Sequence, residues 1–246
     1  MIDRTHEIHK EIGQAIQSPF NLVLEGECGV GKEHYAKVIH QQRKRGGEFV
    51  VCDCEGTVQE QIRIVRQLTS SAFLEKLRHP ENKDTFFLKR LDLLHTHLLA
   101  QLSDFFEELG KGGGFSRREL LSCRLIGSLQ TNATKEPTNG IQLLKFFNAL
   151  FCLKIRIPPL RERKREIPHL VEEFIDLFNK EQKRKVLGVA RETLELLLQH
   201  NWPDNVFELK MELERAATLT ADFQAIKPIT LSDKLLECVS KTPSLS

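Results

Sequence analysis

The sequence predicts an α/β fold, a doubly wound parallel sheet followed by a small helical domain. Three observations carry this. Five short apolar runs recur across residues 20–160 without in/out alternation, as expected of strands buried on both faces of a parallel sheet. Helical periodicity fills the intervals between them, the pattern of strand–helix–strand crossovers. After Pro158-Pro159 the texture changes to helix alone.

The strands are expected at Asn21–Glu25, Phe49–Cys52, Thr85–Leu88, Cys123–Gly127 and Cys152–Ile157. Leu98, Leu102, Phe105, Phe106 and Leu109 share one face of a helix between the third and fourth. Beyond the prolines, Glu166–Asn179 places Ile167, Leu170, Val171, Phe174, Ile175 and Phe178 on a common face, and Arg191–His200, Asn205–Thr220 and Ser232–Val239 read as three further helices. The expected division is 1–162 for the sheet domain, 163–240 for the helical domain, and a frayed polar tail over 241–246. Gly110-Lys111-Gly112-Gly113-Gly114 follows no strand and reads as a flexible connector.

Composition narrows the function. The chain has 246 residues, with 36 Lys+Arg against 34 Asp+Glu and a net charge of +2, which argues against a strongly basic nucleic-acid binder. There is no run of 18 apolar residues and no secretory pattern at the start, so a cytoplasmic protein without a membrane span is expected. The six cysteines are scattered; Cys52-Asp53-Cys54 is too tight for paired zinc ligands, and the thiols read as ordinary apolar residues.

The chemistry-bearing segment follows the first strand: Gly26-Glu27-Cys28-Gly29-Val30-Gly31-Lys32-Glu33, then helix to about Lys44. G-x-x-x-x-G-K between a strand and a helix is a phosphate-binding loop. Its glycines let successive backbone N–H groups turn toward phosphate oxygens, the helix adds the positive end of its dipole, and Lys32 reaches the β- and γ-phosphates. Glu33 stands where a Mg²⁺-binding Ser or Thr is usual.

Here the chain resembles the AAA+ domain of bacterial sigma-54-dependent transcription activators. That family's loop reads G-E-S-G-T-G-K-E, so Glu33 fits it. Tyr35–His40 is similar to the family's helix ending in Ile-His, and Phe49–Cys54 to its next strand. Ile157-Pro158-Pro159-Leu160-Arg161-Glu162-Arg163 with Glu166–Leu170 resembles L-P-P-L-R-E-R…D-I-P-x-L, and Trp202–Leu209 resembles W-P-G-N-V-R-E-L. The motifs occur in the family's order over about residues 15–220, and they make Arg161–Arg165 a linker feature and not a nucleic-acid patch. The resemblance implies a P-loop ATPase sheet with a helical lid, ATP or ADP as ligand, and a ring-forming oligomer.

The departures from the family bear on activity. Its third strand ends in Asp-Glu, which arranges Mg²⁺ and the attacking water; here Lys89 and Arg90 stand there. Two unit charges 4 Å apart interact by roughly 4 kcal/mol at an effective dielectric near 20, so this reversal is expected to weaken Mg²⁺ binding. Asp92, three residues further along an extended strand, would face the opposite side. Gly127-Ser128-Leu129-Gln130 replaces the Thr-Asn sensor, and the two arginine-finger positions, counted back from Pro158, hold Leu143 and Ala149. Phe207 replaces the sensor arginine, and Thr57–Asp84 lacks the G-A-F-T-G-A loop that touches sigma-54.

Taken together, the departures point to a pseudo-ATPase: a nucleotide-binding regulatory or assembly module, forming a homo-oligomer or a mixed ring with an active relative. No direct DNA binding is expected, since too little chain follows Thr220 for a DNA-reading helical unit. Two alternatives stay open. One is an active ATPase acting on a partner; the other is a small P-loop phosphotransferase with Asp53 as metal ligand.

Overall fold

The structure, a computed structural model, describes residues 4–42, 47–79, 83–111, 123–135, 139–150 and 152–240. The chain forms two compact units. One comprises Ile8–Gly26 and Lys32–Ile157; the other comprises Met1–Glu7, Glu27–Gly31 and Pro158–Ser246.

The sheet unit is built on five parallel strands: β1 (Leu22–Glu25), β2 (Phe49–Asp53), β3 (Thr85–Lys89), β4 (Arg124–Leu129) and β5 (Leu153–Arg156). They lie in the order β2-β3-β4-β1-β5. Leu22 pairs with Ile126 on one side and Leu153 on the other, so β1 is an interior strand, between β4 and the edge strand β5, and all four of its residues are buried. Asn21 fixes its entry: the side-chain amide donates to Leu150 O, and its oxygen accepts Leu125 N–H at 2.8 Å.

Its helices are α1 (Thr5–Gln17), which begins in the other unit's share of the chain, α2 (Lys32–Gln42), α3 (Val58–Leu68), α4 (Ser71–Arg78), α5 (Thr96–Lys111) and α6 (Gly140–Ala149). Helix α1 was not expected, although Ile8, Ile12 and Ala15 mark its buried face. Nor were α3 and α4, despite the Thr57–Glu60 capping box that starts α3. The sheet unit's core is mostly leucine, with an aromatic chain running through it: Phe73 is edge-on to Phe86 and Phe106, and Phe106 edge-on to Phe146. Helix α5 continues through Gly110 and Lys111, so these two residues end a helix and do not form a connector; Gly112–Gly114 lie outside the described residues. The tail 241–246 does too.

The helical unit holds α7 (Ile167–Gln182), α8 (Arg191–Gln199), α9 (Asn205–Leu219) and α10 (Asp233–Ser240). Leu160, Ile167, Val171, Ile175, Leu209, Leu213 and Ala216 share one buried core with Trp202, whose indole N–H donates to Leu197 O at 2.9 Å. A short parallel bridge joins Val189 to Ile226. Among the described residues, no helix is long and apolar enough to cross a membrane.

Candidate functional site

The phosphate loop divides between the units. Gly26, Lys32 and Glu33 belong to the sheet unit. The Gly26 N–H donates to Leu129 O, prolonging the ladder past the end of β1, and the Lys32 ammonium donates to Gly26 O at 2.8 Å from the first residue of α2. Glu33 pairs with Lys37 one helical turn on, at 2.7 Å, and its charge suits the N-terminal turn of α2.

Glu27–Gly31 belong to the helical unit. Gly29 and Gly31 take φ of 73° and 90°, left-handed values that favour glycine. Val30 between them is buried and Cys28 is exposed. The Glu27 carboxylate accepts both Arg161 guanidinium N–H groups, at 2.7 and 2.9 Å, and the Asn205 amide at 3.2 Å. Asn205 also donates to Cys28 O at 2.8 Å, Val206 and Phe207 N–H donate to Gly29 O, and Arg163 donates to Val30 O at 2.7 Å.

Thus the basic run Arg161–Arg165 is largely engaged within its own unit. Arg161 holds Glu27, buried Arg163 also donates to Pro158 O and pairs with Glu166, and Lys164 donates to the carbonyls of Leu198 and Gln199 at the end of α8. Sequence reasoning missed Asn205 as a ligand of the loop; its only signal was the helix start in W-P-D-N.

The end of β3 carries the second cluster, wholly inside the sheet unit. Lys89 lies opposite Asp53 in the β2–β3 register and its ammonium meets Asp53 Oδ2 at 2.7 Å. The Asp53 carboxyl sits below its usual range: burial pushes it up, but the Lys89 hydrogen bond and the Glu55 amide outweigh this. The same hydrogen bond holds the Lys89 ammonium above its ordinary value.

Arg90 leaves the strand in a left-handed conformation, φ 54°, held by its N–H on Ser128 Oγ at 2.9 Å. Its guanidinium lies on the Asp92 carboxylate at 3.0 Å. Asp92 therefore stands in a 3₁₀ turn and not on an extended strand, which corrects the alternation argument applied to it above; its carboxylate accepts from Arg90 and, at 3.3 Å, from Gln130 N–H. Buried Gln61 braces this turn, donating to Cys54 O and Leu93 O and accepting His95 N–H.

These residues do not fit Mg²⁺. Each carboxylate at the end of β3 already neutralises a cation, and among the described residues no group of three His, Cys, Asp or Glu could hold a metal. Burial alone pushes the Cys52 thiol to about 11 and Cys152 to about 12; it also leads in raising Cys54 to about 12, so all three stay protonated.

The remaining positions scatter. Leu129 is buried at the end of β4 and its side chain offers no polar group. Leu143 packs into the sheet unit's own core, so it cannot meet a partner; the outward residues of α6 include Ile141 and Leu144. Ala149 is partly buried against the same core. Phe207 is exposed in the first turn of α9, and its backbone N–H donates to Gly29 O at 3.3 Å.

Residues 2–68 match the sigma-54 interaction domain, and residues 161–245 match the AAA+ ATPase lid domain. The chain is 31% identical over 229 residues to the transcriptional regulatory protein XylR of Pseudomonas putida, covering 89% of this chain and 40% of that one. It is 27% identical over 251 residues to the Nif-specific regulatory protein of Herbaspirillum seropedicae, covering 96% and 45%. The chain thus spans less than half the length of these relatives. In fold it is similar to NtrX from Brucella abortus in complex with ATP, with TM-score 0.71 and 19% identity over 96% of this chain and 57% of that one. AMPPCP-bound DnaA from Aquifex aeolicus is also similar, with TM-score 0.58 and 15% identity over 87% and 62%.

Proposed function

The chain is a sigma-54 activator-like AAA+ module, and from that premise we propose that it binds ATP or ADP through Gly26–Glu33 yet hydrolyses little or none, serving as a regulatory or assembly module in transcription control. The observation that carries this reading is the end of β3, where Lys89 and Arg90 are each neutralised by a carboxylate of the same unit. Phosphoryl transfer needs a metal, an oriented water and cationic stabilisers of the transferring group. The residues at β3, Leu129 and Phe207 supply none of these, whereas the loop keeps its glycines, its lysine and its helix start. Solved structures similar in fold carry ATP or AMPPCP in their own chains, which supports the nucleotide assignment. A homo-oligomer or a mixed ring with an active relative is the setting in which such a module would act.

Calorimetric titration with ATP and with ADP, in Mg²⁺ and in EDTA, beside a phosphate-release assay, tests this. Binding of both nucleotides that survives EDTA, is lost in Lys32→Ala and proceeds without release is the expected result. Turnover of about 1 s⁻¹ or more, an ordinary enzyme's rate, would overturn it in favour of an active ATPase.

A further inference from the structure

We propose that Asn205 and Arg163 are positioning residues for the phosphate loop, so that loop occupancy and the stability of the helical unit are coupled. The proposal rests on the reading that the loop takes nucleotide phosphates. Three consecutive loop carbonyls are each taken by a donor from Pro158–Ser246: Cys28 O by Asn205 Nδ2 at 2.8 Å, Gly29 O by Val206 N at 3.0 Å, and Val30 O by Arg163 Nη2 at 2.7 Å. These peptides are trans, so each C=O lies antiparallel to the next residue's N–H. Fixing the three carbonyls therefore turns the N–H groups of Gly29, Val30 and Gly31 the opposite way, as a row of donors for an anion.

Neither side chain is a bystander. The buried Asn205 amide is used at both ends: its oxygen accepts Leu160 N–H at 2.8 Å while its nitrogen holds the loop. Its left-handed backbone, φ 57°, is one that asparagine tolerates better than most residues. The buried Arg163 guanidinium spans Pro158 O, Val30 O and the Glu166 carboxylate. A lysine in its place has a single nitrogen and cannot reproduce that fork.

A glycine-rich loop left unheld would sample many conformations, and ligand would have to bear the ordering cost. A loop already held binds more tightly for the same contacts. Because the holding groups belong to the helical unit, linkage requires the reciprocal effect: polyphosphate on the loop stabilises that unit.

The test uses the full chain with ADP as probe. Trp202, the chain's only tryptophan, reports folding of the helical unit. Asn205→Asp keeps the shape, the left-handed tolerance and the acceptor for Leu160, but removes the donor. Arg163→Lys keeps the charge and removes the fork. Each is expected to weaken ADP binding by roughly 5–150-fold, the usual range for such coupling, with native Trp202 emission. ADP should raise the Trp202-monitored denaturation midpoint of wild type and raise it less in either variant. Variants with native emission that bind ADP as wild type does would overturn the proposal.

Should a variant fail to fold, Arg161→Gln, which removes only the Glu27 pair at the part-exposed edge, is expected to give a smaller loss of affinity. Hydrogen exchange of the 27–31 segment without ligand separates this proposal from the one it rests on. Faster exchange in Asn205→Asp supports positioning even if wild type binds no ADP, an outcome that would refute only the nucleotide assignment. Unchanged exchange overturns positioning.

Discussion

Replacing Lys89 with aspartate turns the end of β3 anionic, and the size of the response can be worked out. Lys89 and Asp53 face each other in register at 2.7 Å, with side chains 36% and 46% exposed. At that exposure the ion pair contributes only about 0.2–1 kcal/mol, well below what its short distance would give in a dry interior. Two carboxylates at opposed positions, roughly 5 Å apart, would then repel by about 0.8 kcal/mol in water and about 3 kcal/mol at an effective dielectric of 20; the exposure favours the lower end. Lys89→Asp should therefore cost the sheet unit about 1–2 kcal/mol, or a fall in Tm of roughly 2–8 °C for a unit this size.

The same change creates a place for a divalent ion between two carboxylates. At a Mg²⁺ concentration about ten times the dissociation constant, binding restores about 1.4 kcal/mol. The assay is a calorimetric scan in EDTA and in about 10 mM MgCl₂, matched for ionic strength with NaCl because surface charges are screened. The variant should lose stability in EDTA and recover most of it in Mg²⁺, while wild type stays unmoved. Wild type gaining as much from Mg²⁺ as the variant would refute the reasoning, since the native residues would then bind the ion. The variant should turn over no faster than wild type, because Arg90, Leu129 and Phe207 are unchanged.

Two further outcomes are expected. Gly29→Ala places a Cβ 2.1 Å from Asp204 O and 3.1 Å from Phe207 Cβ at φ 73°. The left-handed backbone costs roughly 1–2 kcal/mol and weakened hydrogen bonds to Gly29 O about 1 more, so the Trp202-monitored midpoint should fall clearly; an unchanged midpoint would contradict the packing described. Burial pushes the His200 imidazole below its ordinary value, against the pull of the Glu208 carboxylate 3.5 Å away. The unfolded chain then takes up a proton near pH 6.5, about the free histidine value, where the folded unit does not, so this contribution is complete above pH 6.5 and declines as pH falls toward the lower folded value. His200→Gln should flatten that part of the Trp202-monitored stability profile, and an identical slope would count against it.

How far the sequence reaches can be judged residue by residue. Strands β1, β3 and β4 were legible because each is a run buried along almost its whole length, whereas β2 and β5, at the sheet's two edges, bury only Cys52 and Ile155 and were legible from their β-rich composition. Gly29 and Gly31 were legible because left-handed φ leaves glycine few rivals. Helices α3 and α4 passed unseen in a segment read for a missing motif, although Thr57–Glu60 marks a helix start. Asp92 was misjudged because the chain leaves the strand at Arg90, where Ser128, 38 residues away, accepts its N–H. The grip on the loop was not legible for the same reason. Asn205 and Cys28 are 177 residues apart, and W-P-D-N announces a turn and a helix without naming what the amide will hold.

The two clusters differ in what their charges can do for a ligand. At β3 the cations and carboxylates satisfy one another, so a nucleotide arriving there would have to break Lys89–Asp53 or Arg90–Asp92 before either cation could serve it. At the loop, the charged and amide groups of Glu27, Arg161, Arg163 and Asn205 are spent on shaping backbone, which leaves the donors of Gly29–Gly31 directed away from them. On the proposed reading, holding an anion depends on the second cluster and transferring a phosphoryl group would depend on the first. The two can therefore be separated by mutation. If the proposed function holds, changes at Asn205 or Arg163 should move affinity with no effect on turnover, while changes at Lys89 should move metal response with little effect on binding in EDTA. A chain in which both properties moved together at either cluster would not fit a module that keeps nucleotide without consuming it.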